Sequence, residues 1–169
     1  MSRAFVKEPE GPQPGDEIPE RPQSQLPNHV TARGLKLLHA QLEALKEERR
    51  HLSEIVESDM VAADRLRLIE RDIRYVESRI ERALPVDLSA QPRDEVAFGA
   101  IVEVVDDRDQ GHKFEIVGED EADVAAGRIS WASPLAQSLI GAGVGDTAVW
   151  RRPAGDLELE IVRISYPVD

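Results

Sequence analysis

The fold of this chain is decided by residues 31–83, which read TARGLKLLHAQLEALKEERRHLSEIVESDMVAADRLRLIERDIRYVESRIERA. Apolar residues recur there at the a and d positions of a heptad, in one series and then in a second. The first series is Leu35, Leu38, Leu42, Leu45, Leu52 and Val56, and the second is Leu66, Ile69, Ile73, Val76, Ile80 and Ala83. Because a 3.5-residue repeat places an apolar seam along a helix, the two series predict two amphipathic helices that pack seam to seam.

The segment between the two series is short and acidic. Heptad spacing is lost over residues 57–64, where Ser58 or Asp59 is expected to cap a new helix, as Thr31 caps the first. A short connection favours antiparallel neighbours, so we predict an antiparallel coiled-coil hairpin over residues 31–84 with arms of roughly 30 Å. Pairing within one chain predicts a monomer. The alternative is a generic coiled-coil dimer, in which the seams pair between chains.

Composition restricts the class of protein. The 169 residues include no cysteine, which excludes disulfides and thiolate metal sites and fits a reducing cytoplasm. The sequence has no apolar run of membrane-spanning length and no signal-peptide pattern, so we expect a soluble, cytoplasmic protein without a membrane contact. The net charge of −12 is concentrated in residues 85–169, which carry −10. Since nonspecific DNA binding needs clustered cations, we expect a protein partner rather than duplex DNA.

Three further segments flank the hairpin. Residues 1–30 contain six prolines and no apolar period, which predicts a disordered, acidic tail. Residues 85–93 are a linker that begins at a helix-ending proline. Residues 94–169 are predicted to form a β-rich domain in which Ser133 caps one short helix. Its candidate strands are residues 96–98, 101–105, 113–117, 128–131, 147–150 and 157–164. The predicted fold class is α+β.

Three carboxylates lie at the predicted tip of the hairpin: Glu57, Asp59 and Asp64. Clustered carboxylates can bind Mg²⁺ or position water, so this group is the candidate catalytic site. The alternative interpretation is structural, because connections between helices are usually polar and an aspartate near a helix start stabilises the helix dipole.

Arginines recur at helical spacing on the second helix. Arg67, Arg71 and Arg74 form one basic stripe, which suits contact with the backbone of nascent RNA or with an acidic groove of a protein. The alternative is that these arginines pair with carboxylates of the same helix. The candidate partners are Glu70, Asp72 and Glu77.

Several groups of residues resemble the bacterial Gre transcript-cleavage factors. The segment Thr31-x-Arg33-Gly34-x-x-x-Leu38 is similar to the start of the family's coiled coil. The segment Arg65-Leu66-Arg67-x-Ile69-x-Arg71-x-Ile73-Arg74-Tyr75 is similar to the descending helix of its GreB branch. The C-terminal groups follow the family's order and are Phe98-Gly99-Ala100-x-Val102, Ile116-Val117-Gly118-x-Asp120-Glu121-Ala122-Asp123, Ser133-Pro134-Leu135-Ala136-x-x-Leu139-x-Gly141, Gly145-Asp146 and Pro153-Ala154-Gly155.

The resemblance implies that residues 94–169 form an FKBP-like domain. In the family, this domain docks at the rim of the secondary channel of RNA polymerase, and the coiled coil enters the channel. The residues that would dock here are Ser130, Trp131, Ala132, Ser133 and Pro134. Ala132 stands where relatives often carry a polar or acidic group.

The tip departs from the pattern of cleavage-active members. Those members carry Gly-Asp-x-x-Glu-Asn, whose two carboxylates help to hold the second catalytic Mg²⁺ of the polymerase. Here neither Asp59 nor Asp64 has an acidic partner three residues later. The hairpin is also shorter by about a dozen residues, which would withdraw the tip by roughly 9 Å at the helical rise, further than a metal–oxygen bond spans.

The resemblance therefore implies a transcription regulator that binds RNA polymerase and modulates elongation with its hairpin. It also implies that the protein is not itself an enzyme and binds no cofactor of its own. The first alternative is an active cleavage factor in which Asp59 shares a Mg²⁺ ion with the polymerase. The second is a peptidyl-prolyl isomerase, which the FKBP-like fold suggests, although the domain has few of the aromatic residues that line such pockets.

Overall fold

The computed structural model describes residues 18–57 and 59–168. Its N-terminal part is a pair of long helices, α1 (Ala32–Ile55) and α2 (Met60–Glu81). Their facing sides bury one apolar cluster, which confirms the predicted hairpin within a single chain. The buried members of the cluster are Leu38 and Leu42 of α1, Ile69, Ile73 and Val76 of α2, and Val30, which precedes α1. No helix in the described ranges is both long and apolar enough to cross a membrane.

Both helix starts are held by predicted capping residues. The Thr31 hydroxyl accepts a hydrogen bond from Gly34 N at 2.9 Å, and the Asp59 carboxylate accepts one from Val61 N at 2.9 Å. Each cap satisfies a backbone N–H that has no partner within its helix. The sequence therefore placed the first residue of each helix correctly, and of the two candidate caps for α2 the structure uses Asp59.

A two-stranded parallel sheet closes the base of the hairpin. Strand β1 (Asn28–Val30) pairs with β2 (Ala83–Pro85), which follows α2 almost directly. The prediction of a disordered tail as far as residue 30 is therefore wrong at its end, while residues 1–17 lie outside the described residues. The reason is a buried polar contact. Asn28 Nδ2 donates to the Arg79 carbonyl at 2.7 Å, and Arg79 Nη2 donates to Asn28 Oδ1 at 2.6 Å.

The C-terminal part is built on a five-stranded sheet. Its strands are β3 (Ile101–Asp106), β4 (Gly111–Val117), β5 (Arg128–Ser130), β6 (Thr147–Trp150) and β7 (Leu157–Ser165). They lie in the order β5-β4-β3-β7-β6, and all neighbours are antiparallel except the parallel pair β4 and β5. Together with the hairpin, this sheet confirms the predicted α+β class.

One short helix, α3 (Pro134–Leu139), packs on the sheet. Ser133 Oγ accepts a hydrogen bond from Ala136 N at 3.2 Å, which confirms the predicted cap. The helix buries Leu135, Ala136 and Leu139. The strands bury alternate residues beneath it, as strands with one buried face do. The buried strand residues are Val102, Val104, Phe114, Ile116, Ile129, Ala148, Leu157, Leu159 and Ile161.

Five of the six predicted strands are confirmed, and the strand predicted over residues 96–98 is wrong. Val96 is buried, but its N–H donates to the Ala142 carbonyl and its carbonyl accepts from Gly141 N, both at 2.8 Å. This segment therefore pairs with the loop after α3 and adds no strand to the sheet. A short apolar run indicates burial but not the partner of its backbone, so the sequence could not distinguish the two cases.

The turn between β3 and β4 contains a pH-sensitive contact. The buried Asp106 carboxylate lies 2.9 Å from His112 Nε2 and accepts hydrogen bonds from Gln110 N at 3.0 Å and Arg108 N at 2.8 Å. The hydrogen bond with His112, and then that with the Gln110 backbone, lowers the pKa of Asp106 from 3.8 to about 2. A carboxyl group whose pKa is lowered by folding stabilises the fold above its unfolded-state pKa.

We expect the stabilisation by Asp106 to be complete above its unfolded-state pKa of 3.8 and to be lost as the pH falls towards 2. The free energy of unfolding in urea should therefore fall less steeply over this acidic range for Asp106→Asn than for the wild type. Asp107→Asn removes the same charge at an exposed position of the same turn and is the matched control. Equal slopes for Asp106→Asn and the wild type would contradict the role of Asp106.

Candidate functional site

The structure places the three tip carboxylates at one end of the hairpin. The Asp59 carboxylate caps α2 through Val61 N at 2.9 Å. Asp64 forms an ion pair with Arg67 one turn along the same helix. Glu57 is exposed in the turn that joins the helices. The contacts of Asp59 and Asp64 are those that the structural interpretation of the tip predicts.

These carboxylates do not fit a metal site of their own. The described residues contain no group of three or more histidine, aspartate or glutamate side chains that could hold an ion. One oxygen of Asp59 accepts from the α2 backbone and one oxygen of Asp64 accepts from a guanidinium. Because Mg²⁺ is held by several oxygen ligands in octahedral geometry, no catalytic step through a metal follows from the tip alone.

The basic stripe is ion-paired along its whole length. Arg67 pairs with Asp64, and Arg71 Nη2 lies 3.0 Å from Asp72 Oδ1. Arg74 Nη2 donates at 2.6 Å to Glu20, a residue of the segment that precedes β1. Of the partners predicted within α2, Asp72 is used. The stripe is therefore a neutralised surface in this conformation and not an open cationic one.

The segment predicted to dock, residues 130–134, is a tight turn between β5 and α3, and we call it the docking segment. Trp131 N donates to Val117 O at 2.8 Å, Ser133 N donates to Ser130 O at 2.9 Å, and Ala132 N donates to Ser130 Oγ at 3.2 Å. These bonds fix the backbone of the turn. Its last residue, Pro134, is exposed at the first position of α3.

An apolar groove of about 700 Å³ begins at the docking segment and was not predicted from the sequence. The rings of Phe114 and Trp150 meet edge to face in its wall, with centroids 5.3 Å apart. The groove thus gathers two of the few aromatic residues of this domain. No local sequence pattern predicts the groove, because these rings come from β4 and β6, which are not neighbours in the sheet. Other lining residues are Ile129, Pro134, Leu135 and Val149.

A buried carboxylate joins the start of the hairpin to the sheet domain. Glu121 Oε2 accepts from the Thr31 hydroxyl, and Glu121 Oε1 accepts from Arg33 Nε, both at 2.6 Å. Arg33 Nη2 also donates to Glu115 on β4 at 2.7 Å. The backbone of α1 comes so close that a Cβ atom at Gly34 would lie 2.6 Å from Glu121 Oε2. A side chain at position 34 would therefore displace the Glu121 carboxylate, which Thr31 and Arg33 hold by hydrogen bonds.

A buried guanidinium joins the end of the hairpin to the same part of the sheet domain. Arg79 is 1% exposed, and its Nε donates to Asp120 Oδ2 at 2.6 Å. Its Nη2 bonds Asn28 and reaches Glu119 at 3.4 Å. A Cβ atom at Gly118 would lie 2.5 Å from the His29 carbonyl oxygen. We call the Glu121 and Arg79 groups together the joint, because they hold both arms of the hairpin on one segment.

The joint residues are present in the sequence motifs, but their contacts could not be read from them. Thr31, Arg33 and Gly34 belong to one motif, and Gly118, Asp120 and Glu121 belong to another about 90 residues away. Spacing along the chain predicts which residues of one motif lie close together. It does not predict that these two motifs pair with each other, because that contact forms only when the chain folds. The ring of Trp131, in the docking segment, extends the joint by meeting the His29 ring edge-on at 5.2 Å.

Comparison with known proteins identifies relatives. The family model described as "Transcription elongation factor, GreA/GreB, C-term" matches residues 91–166. The transcription elongation factor GreA of Maricaulis maris is 40% identical over 130 residues, which cover 75% of this chain and 82% of that protein. GreA of Acidiphilium cryptum is 40% identical over 152 residues, which cover 81% of this chain and 96% of that protein.

A solved structure, that of GreA factor homolog 1 (Gfh1) of Thermus thermophilus, is 27% identical, with a TM-score of 0.39 over 82% of this chain and 98% of that chain. The match to GreA of Maricaulis maris is longer than residues 94–169, so the similarity extends beyond the sheet domain. The chain belongs to the GreA/GreB family of transcription elongation factors.

Proposed function

We propose that this chain regulates elongation by docking on RNA polymerase at the rim of its secondary channel and extending the hairpin into that channel. The observation that carries the proposal is the joint. Ion pairs made by the buried side chains of Glu121 and Arg79 hold both arms of the hairpin, and Trp131 of the docking segment contacts His29 beside them. A partner that binds the docking segment therefore receives the hairpin in one fixed direction.

The hairpin acts by occupying space and not by chemistry of its own. The tip exposes apolar side chains beside its carboxylates, since Met60 and Val61 are 74% and 77% exposed. The Asp59 carboxylate caps α2, and the Asp64 carboxylate forms an ion pair with Arg67. The chain then brings no cofactor, and any Mg²⁺ near the tip belongs to the polymerase.

The proposal is tested by cleavage of end-labelled RNA in backtracked elongation complexes of the cognate polymerase. We expect no stimulation of cleavage by the wild-type chain at a concentration that saturates binding. Asp59→Asn is the informative variant, because asparagine caps a helix about as well as aspartate but removes the charge. Stimulation that disappears in Asp59→Asn would establish the alternative, a cleavage factor that shares the Mg²⁺ ion through Asp59.

We also infer that the protein acts in the cytoplasm as a monomer. The apolar seam of each arm is buried against the other arm of the same chain, through residues such as Leu38, Ile69 and Val76, which leaves no seam for a second copy. Sedimentation should therefore report a monomer over a wide range of concentration. A dimer that forms as the concentration rises would contradict pairing within one chain.

A further inference from the structure

The segment that precedes β1, residues 18–25, lies along α2. Glu20 accepts hydrogen bonds from Arg74, from Nη2 at 2.6 Å and from Nε at 3.1 Å and 3.3 Å to its two carboxylate oxygens. Arg21 places its guanidinium 3.8 Å from the centre of the Tyr75 ring and 3.6 Å from Asp72 Oδ1. The segment therefore contacts consecutive residues of the helix through two side chains of opposite charge.

The same segment is attached near the base of the hairpin. Ser24 Oγ donates to Glu119 Oε1 at 3.0 Å, and Arg82 Nη2 donates to the Ser24 carbonyl at 3.1 Å. Arg74 and Arg82 are separated by about 12 Å at the helical rise. Glu20 and Ser24 span about 13 Å in an extended chain. The spacing of the contacts matches, so the segment runs extended beside α2, with its N-terminal end directed towards the tip.

We propose that residues 18–25 are a strap that covers the Arg74–Tyr75 face of α2 and must leave it before that face can bind an extended segment of a partner protein that carries adjacent acidic and basic residues. The proposal rests on the proposed function, in which the hairpin enters RNA polymerase and the partner segment belongs to that enzyme. The strap then acts as a built-in competitor, because it presents to α2 the groups that the partner would present.

The chemistry of the strap identifies the kind of partner. The covered face receives a carboxylate on Arg74 and a cation between Tyr75 and Asp72. An extended peptide with adjacent acidic and basic residues satisfies both positions. A nucleic acid would satisfy only the first, and its phosphates would meet Asp72 and a chain of net charge −12. We therefore assign the face to a protein partner and not to RNA.

The strap is held weakly enough to open. Arg74 and Glu20 are both more than half exposed, at 55% and 62% of their side-chain surface. Exposed ion pairs contribute little to stability because water and salt compete with them. The hydrogen bonds from Arg74 lower the pKa of Glu20, so Glu20 is ionised in the neutral pH range and the pair carries both charges there. The strap therefore needs to be favoured only slightly in its closed state. The apparent affinity of the face is then its intrinsic affinity multiplied by the fraction of chains in which the face is uncovered.

The first test locates the strap in solution. The chain contains no cysteine, so Pro19→Cys, at an exposed position, accepts a single nitroxide label. We expect the label to broaden the amide NMR signals of Arg74 and Tyr75. The double change Glu20→Gln/Arg21→Gln should abolish the broadening, and Lys7→Gln/Glu8→Gln, which removes the same two charges outside the strap, should preserve it. Absence of broadening in the chain that carries only the labelled Pro19→Cys change would contradict the proposal that residues 18–25 lie against α2.

The second test measures binding of the unlabelled full-length chains to core RNA polymerase. We expect Glu20→Gln/Arg21→Gln to bind roughly two- to fivefold more tightly than the wild type, a range that the loss of weak, exposed contacts such as the Glu20–Arg74 pair allows. The Lys7→Gln/Glu8→Gln chain should bind as the wild type does. Equal affinity of the strap variant and the wild type would contradict the proposal that the strap competes with the polymerase for the Arg74–Tyr75 face.

Two further outcomes separate this proposal from the proposed function. A strap variant that gains affinity for single-stranded RNA, but not for polymerase, would overturn the assignment to a protein partner. A wild-type chain that does not bind polymerase at all would overturn the proposed function and the competition together. In that case the nitroxide measurement still decides independently whether the strap exists.

Discussion

Arg79→Ala is expected to lower the free energy of unfolding by about 3 kcal/mol, a typical cost of removing one partner of a buried ion pair. Arg79 is 1% exposed, and its guanidinium bonds Asp120 and Asn28 at 2.6 Å. Without it, the Asp120 carboxylate loses its charged donor and keeps the Tyr75 hydroxyl at 3.3 Å, and Asn28 Oδ1 loses its donor inside the joint. Urea unfolding followed by circular dichroism measures the effect.

The matched control is Arg65→Ala on the same helix. Arg65 Nε donates to Glu48 Oε1 at 2.9 Å, but the two side chains are 50% and 42% exposed. An exposed pair of this kind contributes about 1 kcal/mol or less. If Arg79→Ala destabilised the chain no more than Arg65→Ala does, the joint would not be a determinant of stability.

Arg79→Met separates the charge from the packing. Methionine retains much of the apolar volume of the arginine stem. If Arg79→Met were nearly as stable as the wild type, the ion pair would contribute little to the free energy of unfolding. We expect Arg79→Met to remain clearly less stable than the wild type, because Asp120 Oδ2 and Asn28 Oδ1 lose the guanidinium donor in either variant.

The hairpin was the most predictable part of the fold. The heptad series and the caps at Thr31 and Asp59 are local patterns, and the helices begin where those patterns predict. The small parallel sheet of β1 and β2 was not predicted, because two strands of three residues each are too short to show a period. Their pairing depends on Asn28 and Arg79, which are 51 residues apart.

The candidate site was only partly predictable for the same reason. Each arginine of the basic stripe could be read from the sequence, but the partner of Arg74 is Glu20, in a segment that composition alone assigns to a tail. The prediction of a tail used the absence of an apolar period. That absence excludes a packed core but does not exclude an extended segment held by charged side chains. The strap, the joint and the aromatic groove are all contacts between distant segments.

Pro134→Asp is expected to weaken binding to core RNA polymerase at least tenfold while leaving the stability of the chain unchanged. Pro134 is the exposed last residue of the docking segment and lines the apolar groove. A charge introduced at the centre of an interface commonly costs more than tenfold in affinity. The helix itself should tolerate the change, since Ser133 still caps α3 and an aspartate in the first turn favours the helix dipole.

Val144→Asp provides the matched control. Val144 is 62% exposed in the turn between α3 and β6, and the substitution adds the same charge to the same domain. Equal loss of affinity in both variants would show that the net charge of the domain, and not the docking segment, governs binding. A loss confined to Pro134→Asp would locate the contact beside Trp131. Because Trp131 adjoins His29 and the joint, that result would also fix the direction in which the hairpin leaves the polymerase surface.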